Sequence, residues 1–139
     1  MYKNEFIREQ ETAKASNLIL YSGKCDYNLK NNILISVASQ ILRIVYTEKV
    51  REDEGGTYGV SVSGDIDKFP KEKFEFEIYF DAAPGNKNKL MNIIYTELGD
   101  FVANGPSEVN LNKGKEYMLK KHKEDLKENS YRQDDSIWF

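Results

Sequence analysis

The sequence predicts an α+β fold, a two-layer sandwich in which helices cover one face of a small, mainly antiparallel sheet. Stretches with an apolar residue at every second position predict strands that have one buried and one polar face. Stretches with apolar residues three to five positions apart predict amphipathic helices. These stretches follow one another in the order β-α-β-β-α-α, which is typical of a sheet with helices on one side.

The first two elements are a strand and a long helix. Small and apolar residues from Thr12 to Tyr21 predict the strand, and Ser22-Gly23-Lys24 predicts the turn that ends it. The helix is predicted from about Asn28 to Val50, with Asp26 or Asn28 as its N-cap and Gly55-Gly56 just beyond its end. Its predicted core face consists of apolar residues at helical spacing: Leu29, Ile33, Leu34, Val37, Ala38, Ile41, Leu42 and Val45.

Two strands with alternating faces come next. The stretch from Tyr58 to Ile66 and the stretch from Lys73 to Asp81 each place apolar side chains at every second position. The connection between them, residues 67–72, is short enough for a hairpin. The apolar positions are Tyr58, Val60, Val62 and Ile66 in one strand, and Phe74, Phe76, Ile78 and Phe80 in the other.

The last two elements are helices. Apolar residues at helical spacing predict a helix from about Asn88 to Ala103, and Asn104-Gly105-Pro106 ends it. Ser107 is the predicted N-cap of a third helix that continues to at least Asn129. Because this third helix has few apolar residues, the sequence does not indicate what it packs against.

Composition limits the class of protein. The 139 residues, 40% of them hydrophobic, predict a single domain over residues 1–139 with a polar lead-in at residues 1–11. The apolar ending Ile137-Trp138-Phe139 suggests a fragment of a longer chain. The longest apolar stretches, such as residues 18–21, are too short for a membrane span, and the net charge of -3 argues against a nucleic-acid partner.

Few side chains suited to catalysis are present. His122 is the single histidine and Cys25 the single cysteine, so a disulfide within the chain is excluded. A catalytic zinc site normally has three protein ligands, with histidine or cysteine among them, and the sequence predicts no metal site in this chain. We expect His122 to lie on the surface, and Cys25 lacks the neighbouring histidine that a nucleophilic thiol needs.

The segment from Val50 to Val60 is the most unusual in the sequence. A helix ends at Arg51, an acidic, glycine-bearing loop follows, and Tyr58 begins a strand. A guanidinium group and a phenol at one end of a sheet can bind peptide carbonyls and donate hydrogen bonds to a developing oxyanion. The alternative is structural, because the helix dipole favours arginine at a helix C-terminus and tyrosine is common in strands.

At this segment the sequence resembles the C-terminal domains of the pitrilysin family of zinc peptidases, which includes insulysin and the mitochondrial processing peptidase. That family's non-metal half has a long helix ending in Val-Arg or Leu-Arg, an acidic glycine-containing turn, and a tyrosine seven positions after the arginine. Arg51 and Tyr58 show this spacing, and Gly105-Pro106-Ser107-Glu108 stands where the family begins a helix. The resemblance covers residues from about Glu11 to Asn129.

The resemblance implies a LuxS/processing-peptidase-like metallohydrolase fold, present here in part. In such proteins homologous domains close like a clamshell around a peptide substrate, and the N-terminal domain carries zinc on His-x-x-Glu-His. Arg51 would then bind a substrate carbonyl, and Tyr58 would donate to the oxyanion as a catalytic residue. In a regular strand, however, Tyr58 would share the side of Val60 and Val62 and point toward the helices rather than toward the substrate chamber.

His-x-x-Glu-His itself is absent from this sequence. The resemblance therefore implies an inactive, substrate-binding half of a zinc endopeptidase, with the zinc held by a partner domain in the same chain or in another subunit. The alternative is a non-catalytic structural or interaction domain of the same fold, comparable to processing-peptidase-like core subunits. The single cysteine is compatible with the cytoplasm or the periplasm, and of these the periplasm is slightly favoured.

Overall fold

The computed structural model describes residues 3–8, 13–54 and 59–127, and the side chains of residues 51–54 lie outside this description. Three strands and three longer helices follow in the predicted order, with a 3-10 turn before the second helix, so the α+β fold class is confirmed. Their bounds are β1 (Ala15–Lys24), α1 (Leu29–Glu54), β2 (Val60–Asp67), β3 (Lys73–Ala82), the 3-10 turn (Pro84–Asn86), α2 (Lys87–Asn104) and α3 (Glu108–Asp125).

The sheet is antiparallel throughout, with the strand order β1-β3-β2. β3 is central because both other strands pair with it: Ala15 is opposite Ala82, and Val60 is opposite Phe80. The start of β1, the start of β2 and the end of β3 therefore lie at one end of the sheet.

One face of the sheet forms the core with the helices. Ile78, Phe80 and Ala82 of β3 are fully buried, and Val60, Val62 and Ile66 of β2 are buried beside them. Except for Ala82, which lies beyond the predicted strand, these are positions that the alternation predicts, and the predicted Phe74 and Phe76 are partly buried. The same hydrophobic core also includes residues from α1 and α2, namely Leu42, Tyr46, Val50, Leu90 and Ile94.

Of the two predicted N-caps of α1, Asn28 rather than Asp26 is the cap, and the predicted core face of the helix is partly wrong. Asn28 Oδ1 accepts a hydrogen bond of 2.8 Å from the backbone N–H of Asn31. Leu29, Ile33 and Leu34 are at least half exposed, whereas Ser39, Ile41, Leu42, Tyr46 and Val50 are buried. Apolar residues surround more than half of the helix, so periodicity alone could not determine which side faces the core.

Tyr46, which the predicted face omitted, joins α1 to α2. Its side chain is fully buried, and its hydroxyl donates a hydrogen bond of 3.4 Å to the carbonyl oxygen of Ile94. Burial in the apolar core raises the pKa of the phenol, so the group stays neutral and can keep donating.

The predicted turn at Ser22-Gly23-Lys24 is wrong, because β1 continues through Lys24. Gly23 is paired with Phe74 on β3. A Cβ atom at Gly23 would lie 2.8 Å from Cε1 of the Phe74 ring, so the glycine leaves room for the aromatic side chain. Gly23 is therefore a packing residue within a strand rather than a turn residue.

The stop and start signals between α2 and α3 are confirmed. Gly105 has a φ of 74°, and its N–H donates to the carbonyl oxygen of Phe101 at 2.9 Å. Ser107 Oγ accepts a hydrogen bond of 3.2 Å from the N–H of Asn110, as an N-cap does. The helix itself ends at Asp125, earlier than the predicted Asn129, which lies outside the described residues.

α3 packs closely against α1. Gly114 is the buried residue of α3, and a Cβ atom there would lie 2.7 Å from Cγ1 of Ile41. Lys113 Nζ is 2.9 Å from Glu48 Oε1 across the same pair of helices. The missing side chain at position 114 thus allows the two helices to approach each other closely.

Replacement of Gly114 by alanine is expected to lower the free energy of unfolding by about 1–3 kcal/mol, because Ile41 is buried and has little space to move. Gly99→Ala in α2 is the matched control, since no atom lies within 4 Å of a Cβ built there. That variant should be more stable by up to about 1 kcal/mol, from helix propensity alone. Urea unfolding of both measures this, and equal stability of the two variants would contradict the close-packing account.

Candidate functional site

In the sequence, the predicted arginine falls in the last turn of α1, and the predicted tyrosine falls between the end of α1 and the start of β2. Arg51 is in the last turn of α1, which ends at Glu54, and β2 begins at Val60. The Arg51 side chain and the whole of Tyr58 lie outside the described residues. The pairing of these two side chains therefore stays a prediction.

The strand after Tyr58 follows the predicted alternation. Val60, Val62 and Ile66 are between 5% and 8% exposed, and they face the helices. Ser61 and Ser63 on the opposite face are exposed. The orientation of Tyr58 relative to these two faces lies outside the described residues.

The second face of the sheet, which we call the open face, has no helix against it in the described part of the chain. It is formed by the residues that alternate with the core positions of all three strands. Leu18 is 60% exposed, Leu20 is 55% exposed and Tyr79 is 39% exposed. In the order of the three strands the open-face residues are Ser16, Leu18, Leu20, Ser22 and Lys24 of β1, Ser61, Ser63, Asp65 and Asp67 of β2, and Lys73, Glu75, Glu77, Tyr79 and Asp81 of β3.

A polar cluster around Asp81 lies on the open face, at the same end of the sheet as the start of β2. Ser16 Oγ donates to Asp81 Oδ1 at 2.7 Å, and the Tyr79 hydroxyl donates to the same oxygen at 2.9 Å. Lys14 Nζ is 2.7 Å from Asp81 Oδ2. Sequence reasoning missed this cluster: the polar positions of β3 were visible, but nothing indicated that β1 pairs with β3.

Two opposing effects act on the Asp81 carboxyl. Its partial burial would raise the pKa, but hydrogen bonds from Lys14, Ser16 and Tyr79 favour the charged form and outweigh it. The net result is a pKa below the ordinary value for aspartate. The carboxylate is thus ionised at neutral pH and holds the tyrosine hydroxyl in place on the open face.

His122 and Cys25 do not belong to this end of the sheet. His122 is exposed on α3, as expected, and Cys25 lies in the connection from β1 to α1. An open depression near Cys25, between residues 22–26 and 71–73, is at the opposite end of the sheet. Among the side chains that the structure describes, which exclude those of residues 51–54, no three of His, Cys, Asp or Glu are grouped so that they could hold a metal ion.

Fold and site together define a class: a two-layer α+β domain whose sheet has one packed face and one open face, and whose described residues offer no metal site. Comparison with known proteins assigns the chain to a family. The family model of the Peptidase M16 inactive domain matches residues 2–118, so the chain belongs to this family. The resemblance to the non-zinc C-terminal domains of pitrilysin-type peptidases is thereby confirmed.

A solved structure shows the same fold. The periplasmic protease PqqL from Escherichia coli matches 90% of this chain with a TM-score of 0.64 and 16% sequence identity. At this identity the likeness shows the fold alone. The match covers 14% of the PqqL chain, so the present chain spans a small part of that protein's length.

No curated protein matches the chain. None of the helices in the described ranges is long and apolar enough to cross a membrane.

Replacement of Asp81 by asparagine tests the electrostatics of the cluster. The carboxyl has a lowered pKa when folded, so its stabilisation is present at neutral pH and is lost as the pH falls through that pKa. We expect Asp81→Asn to lower the free energy of unfolding by up to about 1 kcal/mol at pH 7 and by less at pH 3. Urea unfolding at both pH values measures the difference.

Asp65→Asn is the control for this experiment, because Asp65 is exposed and has no hydrogen-bond or ion-pair partner within the described residues. It should change stability little at pH 7. A loss for Asp81→Asn that is the same at pH 3 and pH 7 would show that the carboxylate charge does not stabilise the fold.

Proposed function

We propose that this chain is the substrate-binding, non-metal half of a pitrilysin-like zinc endopeptidase. In this proposal the open face lines a chamber that a homologous N-terminal domain closes like a clamshell around a peptide. The observation that carries the proposal is the uncovered sheet face in a chain of the inactive-domain family. A sheet packed on one side only leaves its other side available for a substrate or a partner domain.

Arg51 and Tyr58 act at one end of this chamber in the proposal. The C-terminal turn of α1 carries Arg51 to the end of the sheet where β2 begins, and Tyr58 precedes Val60 by two residues. Arg51 would bind a carbonyl oxygen of the peptide backbone. Tyr58 would donate a hydrogen bond to the oxyanion that forms when the peptide bond is attacked.

The zinc ion of this peptidase would belong to the partner domain. The described residues do not fit a zinc site, because they contain no suitable group of ligands. When bound in the partner domain, zinc would activate water and polarise the peptide carbonyl. This chain's own contribution would be to hold the substrate, so it would not hydrolyse peptides alone. We place the whole protein in the periplasm, where PqqL is a protease.

Tyr58→Phe in the full-length protein tests the proposed oxyanion donor. Removal of the hydroxyl should lower kcat for peptide hydrolysis by about ten- to a thousandfold, the usual effect of losing one such donor. Tyr117→Phe is the control, since Tyr117 is an exposed tyrosine on α3. Initial rates on a fluorogenic peptide measure the effect, and unchanged kcat in the Tyr58 variant would remove Tyr58 from the site.

Arg51→Ala tests whether Arg51 binds the peptide backbone of the substrate. Loss of the guanidinium should raise KM for peptides more than it lowers kcat, because the group binds the substrate backbone. Arg43→Ala, on an exposed position of the same helix, controls for the loss of an arginine. A thermal melt belongs to this experiment: if Arg51→Ala unfolds the domain while Arg43→Ala does not, Arg51 is structural.

A further inference from the structure

The end of the sheet opposite the start of β2, which we call the hairpin end, exposes large apolar side chains. It consists of residues 24–30, which lead from β1 into the first turn of α1, and residues 67–73, which join β2 to β3. The two segments are neighbours because β1 and β2 both pair with β3 here. Phe69 and Leu29, one from each segment, are each 76% exposed.

One lysine connects the two segments of the hairpin end. Lys68 Nζ lies 5.7 Å from the centre of the Tyr27 ring and 5.6 Å from the centre of the Phe69 ring. Both distances are in the range of a cation–π contact. Phe69 is thus held beside the segment that leads into Leu29, and exposed apolar side chains and a cation share one small area.

Positive charge is in excess at the hairpin end. Lys73 is paired with Asp67 and Glu75, so its charge is compensated. The other charged groups make no ion pair within the described part of the chain; they are the lysines Lys24, Lys30, Lys68 and Lys71 and the carboxylates Asp26 and Glu72. The whole chain has a net charge of -3, so the sign of the charge at this end is opposite to that of the chain.

An open depression of about 570 Å³ lies between the two segments. Its lining includes Lys24, Lys71 and Lys73, together with the carboxylates Asp26 and Glu72. Because Lys73 already has two carboxylate partners, Lys24 and Lys71 are the lysines that can bind an added anion. A phosphate group accepts hydrogen bonds from ammonium groups of this kind. The depression therefore offers a place for phosphate next to the exposed apolar side chains.

We propose that the hairpin end docks on an anionic lipid surface. Phe69 and Leu29 enter the boundary between headgroups and acyl chains, where apolar side chains leave water. Lys24 and Lys71 bind lipid phosphates at the depression, and the other two lysines are attracted to the negative surface. The inference goes beyond the proposed function and does not depend on it, because the start of β2 lies at the other end of the sheet.

A lipid surface fits the hairpin end better than a protein partner does. A stable protein interface buries about 800 Å² on each side around an apolar centre. The hairpin end offers only two strongly exposed apolar side chains, and charged groups surround them. Lipids can rearrange around so small a contact, and lysines beside apolar side chains suit anionic headgroups. Docking in this way would be reversible and would leave the opposite end of the sheet facing away from the membrane.

Sedimentation with lipid vesicles tests the proposal in the full-length protein. Vesicles of phosphatidylcholine are compared with vesicles that also contain phosphatidylglycerol. We expect binding to the mixed vesicles, little binding to phosphatidylcholine alone, and weaker binding at high salt, since salt screens the lysines. Equal binding to both kinds of vesicle, or binding to neither, overturns the proposal.

Replacement of Phe69 locates the apolar contact. Phe69→Ser should lower the partition coefficient on mixed vesicles by about tenfold or more, because a buried phenylalanine side chain stabilises the bound state strongly. Phe6→Ser is the matched control, since Phe6 is 85% exposed. Its neighbour Glu5 is paired with Lys87, which begins α2 soon after β3 ends, so Phe6 is far from the hairpin end. Equal partitioning of the two variants overturns the proposal.

Replacement of Lys71 tests the electrostatic part. Lys71→Gln should lower the partition coefficient by about fivefold, the usual effect of one lysine at an anionic surface. Lys115→Gln is the control, because Lys115 is an exposed lysine on α3 without a partner in the described ranges. Glycerol 3-phosphate, a soluble phosphate ester, should not displace the protein from the vesicles. Complete displacement would show a site for small anions instead and would overturn the proposal.

A third variant measures insertion directly and keeps an aromatic side chain at the same position. Phe69→Trp should show indole fluorescence that brominated lipids quench on mixed vesicles, in excess of any quenching of the unsubstituted protein. Quenching by bromine requires that the indole reaches the acyl chains. Binding without added quenching would mean that another part of the protein meets the membrane, which overturns the proposal.

Discussion

The pairing of β1 and β2 with the central strand β3 is the constraint on which the rest of this structure depends. Neither outer strand pairs with the other, so the sheet exists only through β3. Ile78 and Phe80 are completely buried, which fixes the register on both sides. A slip of one residue would exchange the buried and open faces of the slipped strand, and the helices would then meet charged side chains.

The division into two faces makes the domain suited to its proposed role. Packing demands fall on one face, where α1 and α2 cover the apolar residues of the sheet. Residues on the open face do not pack in the core, so polar and apolar side chains can both occur there without lowering the stability of the core. A hydrogen-bonded cluster at Asp81 and an apolar patch at Leu18 and Leu20 occur side by side there.

Local sequence signals predicted the elements well, and contacts between distant elements were harder to predict. Ser107 was predicted as a cap, and Asn28 as one of two candidates with Asp26, because capping depends on neighbours three residues away. Gly23 was assigned to a turn because its reason for being glycine is Phe74, a residue on another strand. The Asp81 cluster was missed for the same reason, since it joins β3 to β1. Arg51 and Tyr58 were predicted from the unusual segment that contains them and from the family resemblance, and their side chains lie outside the described residues.

The strand order also has a consequence for how the chain folds. The β2–β3 pair is a hairpin with a short connection, whereas β1 and β3 are separated by α1 and β2. Each doubling of the loop that must be closed costs about 0.6 kcal/mol of chain entropy, so the hairpin has the lower barrier to formation. β1 would therefore be added late, after the hairpin has formed. Leu18 and Leu20 reach Tyr79 only at that step, which makes the open face one of the last parts of the domain to be completed.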